Sequence, residues 1–122
     1  MRKDFDAFFK ATDRWHLTSP ERRALLGVSS EERWLHCLHD AAPQLNPQES
    51  ARVHAVIQID DALARRVSDP REVARWFRTL KIIAPFSGRT PLALLLRGMT
   101  GFKAVAEYLA AWEATARESN RY

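Results

Sequence analysis

The sequence predicts an all-α protein, a single compact bundle of about seven short helices. Three observations carry that prediction. Side-chain acceptors stand immediately before proline at Ser19-Pro20, Asn46-Pro47, Asp69-Pro70 and Thr90-Pro91, the pairing that opens helices. Apolar residues between these signals recur at the i, i+3, i+4, i+7 spacing of one helix face. The 122-residue chain is 46% hydrophobic with four tryptophans, enough for a modest core and unlike a disordered composition.

Taken in order, the signals predict helices near 4–16, 20–26, 30–40, 47–67, 70–79, 91–97 and 101–117. The second follows the Ser19 cap and stops at Gly27. The third follows a Ser29 cap, with Glu32 three positions on as in a capping box. The fourth and fifth carry the same signature, Asn46 with Glu49 and Asp69 with Glu72. The segment 80–89 is the longest non-helical stretch: Ile82 and Ile83 before Pro85 favour extended backbone, and Ser87-Gly88 marks a turn. Being apolar itself, it joins its neighbours rather than separating two domains. The sixth helix starts at Thr90-Pro91, carries Leu92, Leu95 and Leu96, and ends at Gly98. Thr100 is the expected cap of the last helix, whose stripe is Phe102, Val105, Ala106, Leu109 and Trp112. From Arg117 to Tyr122 the apolar period is lost, and this end reads as a tail that orders on a partner.

Composition bounds the function. No apolar run is long enough to span a membrane, and the N-terminus lacks the apolar core of a secretory signal. One cysteine, Cys37, cannot form an internal disulfide, which points to the reducing cytoplasm. The net charge is +4, but residues 1–45 carry seven cations and seven carboxylates, while 46–85 and 86–122 each carry an excess of two cations. The positive excess therefore lies away from the segment that resembles a DNA reader.

That segment, Leu25 to Trp34, has the outline of a helix-turn-helix with Gly27 at its turn. Its second helix opens on Glu31 and Glu32, which suit the helix dipole and repel phosphate. Candidate DNA contacts are Ser29, Ser30 and Arg33 here, and Arg71, Arg75 and Arg78, which share one face of the 70–79 helix with Arg65 and Arg66 close in sequence. His36, Cys37 and Asp40 do not converge as a metal site, because one helical turn supplies at most two or three ligands to one face. Asp60 and Asp61 point about 100° apart on a helix and do not pair for acid–base work. With no phosphate loop or nucleophile motif, neither an enzyme nor a cofactor is expected.

Trp76-Phe77, Phe86-x-Gly88-x-x-Pro91-Leu92, Arg97-Gly98-x-x-Gly101 and a helix with Val105 and Tyr108-Leu109 together resemble the toxin-binding domain of Xre/MbcA/ParS-type antitoxins. Upstream, Trp15, Leu17, Leu25-Leu26-Gly27 and Ile57-x-x-Asp60-x-x-Leu63 resemble the helix-turn-helix-like region of the same family more loosely. The resemblance implies residues 1–68 as the helix-turn-helix-like region and 69–122 as the toxin-binding region with its tail, in one structural unit. It implies a partner too: a RES-type, NAD-binding protein toxin with an ADP-ribosyltransferase-like fold, whose active site the C-terminal region blocks. The assembly would be a homodimer or a hetero-oligomer with the toxin, and the pair could repress its own operon. The contact residues so implied are Tyr108, Trp112, Arg117, Asn120, Arg121 and Tyr122. The alternative is a helix-turn-helix transcriptional regulator that dimerises through its C-terminal helices.

Overall fold

The computed structural model describes residues 2–28, 30–39 and 45–119, and side chains between Asp4 and Thr115 within them. Seven helices follow one another among these residues: α1 (Arg2–Arg14), α2 (Ser19–Leu26), α3 (Glu31–His39), α4 (Pro47–Ala64), α5 (Pro70–Arg78), α6 (Pro91–Leu95) and α7 (Met99–Ser119). The all-α expectation holds. The only β feature among them is an isolated antiparallel bridge between Lys81 and Arg89. No described helix is long and apolar enough to cross a membrane.

Caps set most of the helix starts, although not always with the expected residue. Asn46 and Glu49 form the full capping box, each side chain accepting from the other's backbone N–H at 2.8 and 2.9 Å. At α2 the cap is Thr18 rather than Ser19. Its hydroxyl accepts from Glu21 N, and Glu21 accepts from Thr18 N at 2.8 Å, so Pro20 falls one residue inside the helix. At α3 the cap is Ser30, which accepts from Arg33 N at 3.3 Å; Ser29 lies outside the described residues. Asp69 caps α5 through Arg71 N alone, and Glu72 turns to Arg75 instead of closing a box. Thr90 caps α6 as expected. Thr100 does not cap α7, which begins one residue earlier, with the Gly98 carbonyl accepting from Phe102 N. Gly98 holds φ 107°, a left-handed value that glycine adopts without steric cost.

The fourth helix is the axis of the bundle. It packs against α7, α1 and α2, while α6 bridges α7 and α5, and α5 rests on α1. Val53, Val56, Ile59 and Leu63 of α4 meet Phe5 and Phe8 of α1 and Phe102, Val105 and Leu109 of α7 in one continuous core. These three α7 residues are almost fully buried, so the first half of that helix is scaffold. The sixth helix can lie close to α7 because Gly101 faces it: a Cβ there would sit 1.8 Å from the Leu94 carbonyl oxygen.

Two buried carboxylates tie the upstream helices down. Asp60 accepts from the Trp15 indole N–H at 3.0 Å and from both Nε and Nη2 of Arg14. Glu49 receives the Arg33 guanidinium through Nε at 2.8 Å and through Nη2, besides closing its capping box. Each acid enters a mostly apolar region only because charged and neutral donors meet its oxygens.

Candidate functional site

The second half of the chain builds an aromatic face from the junction of α5, the 79–90 loop and α7. In α5, Val73, Trp76 and Phe77 turn inward and the arginines turn outward, as a 3.6-residue period requires. Phe77 stacks on Trp15 of the upstream half at 4.0 Å between ring centroids. Trp76 meets Phe86 edge-on at 6.1 Å and lies nearly parallel to Tyr108 at 6.4 Å. Phe86 meets Tyr108 at 4.9 Å, and Tyr108 meets Trp112 at 6.2 Å. The row thus passes from buried rings to half-buried Tyr108 and Trp112, four residues apart on one side of α7.

Cations frame this row. The Lys81 ammonium lies 5.2 Å from the Trp76 ring centroid, and partial burial pulls its pKa below the ordinary lysine value. Arg66 at the end of α4 lies over Trp112 at 5.1 Å, and Arg65 pairs with Glu113 at 3.1 Å. Both arginines are therefore drawn to α7 rather than joined to the basic face of α5.

On that basic face, Arg71, Arg75 and Arg78 are all exposed, as helical spacing predicted. Each faces a carboxylate: Arg71 lies 3.7 Å from Asp69, and Arg75 is 3.1 Å from Glu72. Arg78 bonds both oxygens of Glu21 and donates to the His16 carbonyl at 3.0 Å, fastening α5 to α2. The Arg78 hydrogen bonds hold the Glu21 carboxyl below its usual pKa, with Thr18 N–H adding to the effect. Arg33 is likewise held on Glu49, and the Ser30 hydroxyl is used in its cap. Glu31 and Glu32 stand exposed at the start of α3. Among the described residues no group of three or more His, Cys, Asp or Glu could hold a metal ion, and Asp40 lies outside them. Cys37 is buried in the core.

The loop between α5 and α6 is ordered by its own hydrogen bonds. Lys81 N donates to Arg89 O at 3.1 Å and Gly88 N to Lys81 O at 2.7 Å, while Phe86 N and Ser87 N both donate to Ile83 O. Phe86 is buried and pins the loop to the core, whereas Leu80, Ile82 and Ile83 are exposed. The apolar character of this stretch, evident in the sequence, thus serves the surface as well as the core.

Residues 62–114 match the family model described as the antitoxin Xre/MbcA/ParS C-terminal toxin-binding domain. This segment belongs to that family. No curated protein and no solved structure is significantly similar to the chain. The toxin-binding domain so delimited starts at the end of α4 and takes in α5, the loop, α6 and α7 through Ala114, and therefore the whole aromatic row from Trp76 onward. Of the toxin contacts implied by the resemblance, Tyr108 and Trp112 stand together on the domain. The backbone of Arg117 continues α7, its side chain lies outside the described residues, and Asn120, Arg121 and Tyr122 lie wholly outside them.

Proposed function

We propose that this protein is a non-enzymatic antitoxin that neutralises a RES-type, NAD-consuming toxin by placing the end of its C-terminal region in the toxin's active site. The observation that carries the reading is the toxin-binding domain match over residues 62–114. Two features of the domain support the steric form of the mechanism. Phe102, Val105 and Leu109 fix the first half of α7 in the core, so the helix continues toward the tail from a rigid base. Tyr108 and Trp112 are half-buried amphipathic rings on this helix, the residue types that contribute most per side chain in interfaces. Tyr108, Trp112, Arg117, Asn120, Arg121 and Tyr122 are the proposed contacts, the arginines suited to the phosphates or carboxylates of an NAD site.

The regulator alternative finds less support, since α3 would present Glu31 and Glu32 to phosphate and its Arg33 is engaged by Glu49. A truncation after Trp112, co-expressed with a RES-type toxin from the same genome, tests the proposal. The truncated chain should keep its helical circular dichroism yet fail to preserve cellular NAD. Protection equal to that of the full chain would refute active-site blocking by the tail.

A further inference from the structure

The 79–90 loop carries the most exposed large apolar side chains of the described residues. Ile82 is 91% exposed, Leu80 68% and Ile83 57%, side by side on a loop whose backbone is closed by the Lys81–Arg89 bridge. Together they present a few hundred Å² of apolar surface, the scale of the largest patch on an ordinary monomer. Phe86 anchors the loop against Trp76 and Tyr108, so the patch is fixed to the same body that carries the proposed tail contacts. The loop itself carries two cations, Lys81 and Arg89, and no carboxylate, while Arg75 and Arg78 of the preceding helix are already paired with Glu72 and Glu21.

We infer that the Leu80–Ile82–Ile83 patch is a second docking point on the toxin, received by an apolar cleft with a carboxylate rim. The inference rests on the antitoxin reading and deepens it, by assigning part of the binding energy to a site away from the tail. Three facts select the toxin as occupant. The loop lies wholly inside the matched toxin-binding domain. Its cationic surroundings complement an acidic rim. A second copy of this chain meeting it about a twofold axis would bring Lys81 and Arg89 toward their own symmetry mates, and like charges oppose that contact. The area is also below what a stable dimer needs by itself, whereas added to the α7 contacts it enlarges one interface. Two separated contacts on one rigid domain further strengthen binding, because the first to form holds the second near its target.

The test measures affinity between the purified full-length protein and a RES-type toxin from the same genome, made catalytically inactive. Ile82→Ser combined with Ile83→Ser should weaken binding by about a hundredfold, near tenfold for each isoleucine no longer buried. Melting temperature and helical content should stay at the wild-type values, since neither side chain belongs to the core. Lys81→Glu with Arg89→Glu should slow association and flatten its salt dependence. A double serine variant that binds within threefold of wild type overturns the inference and leaves the tail mechanism standing. A wild-type chain that does not bind the toxin overturns both. Sedimentation of the free protein reads the remaining occupant: a wild-type dimer that the serine variant converts to monomer, with toxin affinity unchanged, makes the patch a self-contact and refutes the inference.

Discussion

Replacing Asp60 tests the coupling between the upstream helices and the toxin-binding domain. Asp60 is 5% exposed and holds the indole N–H of Trp15, a residue with no exposed surface. In Asp60→Ala that N–H loses its acceptor where water cannot replace it, a cost of about 1–3 kcal/mol. The Arg14 side chain is 49% exposed, so its guanidinium returns to water and adds only about 0–1 kcal/mol. The sum is about 1–4 kcal/mol. Asp60→Asn keeps an oxygen for Trp15 and gives up the charge, so it should cost about 1 kcal/mol. Urea unfolding followed by tryptophan fluorescence reads both, as a fall in midpoint with an unchanged slope. Because Trp15 stacks on Phe77, the alanine variant should also lose near-ultraviolet circular dichroism before the transition. Equal losses for the alanine and asparagine variants, or a loss below about 1 kcal/mol for alanine, would refute the reasoning.

Other substitutions probe separate parts of the fold. Gly101→Ala should destabilise by about 2–4 kcal/mol despite alanine's better helix propensity, since its Cβ would overlap the Leu94 carbonyl; a raised melting temperature would contradict the packing. Leu109→Ala, emptying a site 1% exposed between α4 and α7, should cost about 2–5 kcal/mol by urea titration. The Glu49 carboxyl titrates below its ordinary range, chiefly through the Arg33 hydrogen bonds, with Asn46 N–H assisting and burial opposing. Its stabilisation is complete above the unfolded carboxyl pKa of about 4.3 and is lost as pH falls through the lower folded value. Melting temperature should therefore fall as pH drops below about 4.5, and Glu49→Gln should be less stable than wild type at pH 7, with the gap narrowing as pH falls.

Much of the helical order was legible because local signals fix it. Asn46-Pro47-x-Glu49 and Thr90-Pro91 open helices through contacts within four residues, and the structure keeps both. Where two polar residues stood side by side, the proline rule alone chose badly: Thr18 caps in place of Ser19, and Glu21 three positions after Thr18 was the capping-box signal that separates them. Asp60 was unreadable for a different reason. Its partners lie 45 and 46 residues upstream, and no periodicity encodes a contact at that separation. An acid interrupting the apolar run Ile57, Ile59, Leu63 was the available hint. The exposed Ile82 and Ile83 were misleading in the opposite sense, since apolar composition does not specify what will cover a residue. The family motifs from Trp76 to Leu109 correspond to the rings and close approaches that assemble α5, α6 and α7, which is why their spacing is restrictive.

The contact at Gly101 also has a mechanical meaning. The seventh helix runs 21 residues, about 30 Å at 1.5 Å per residue, and Gly101 sits near one end. A methyl group that pushed that end off α6 and tilted the axis by about 5° would swing the far end by roughly 2.5 Å over that length. Displacements of about 1 Å are enough to spoil a close fit at an active site. The glycine therefore works as the fulcrum of a long arm, and it aims the distal end of the helix. Gly101→Ala should therefore lose more neutralisation than its loss of stability alone accounts for.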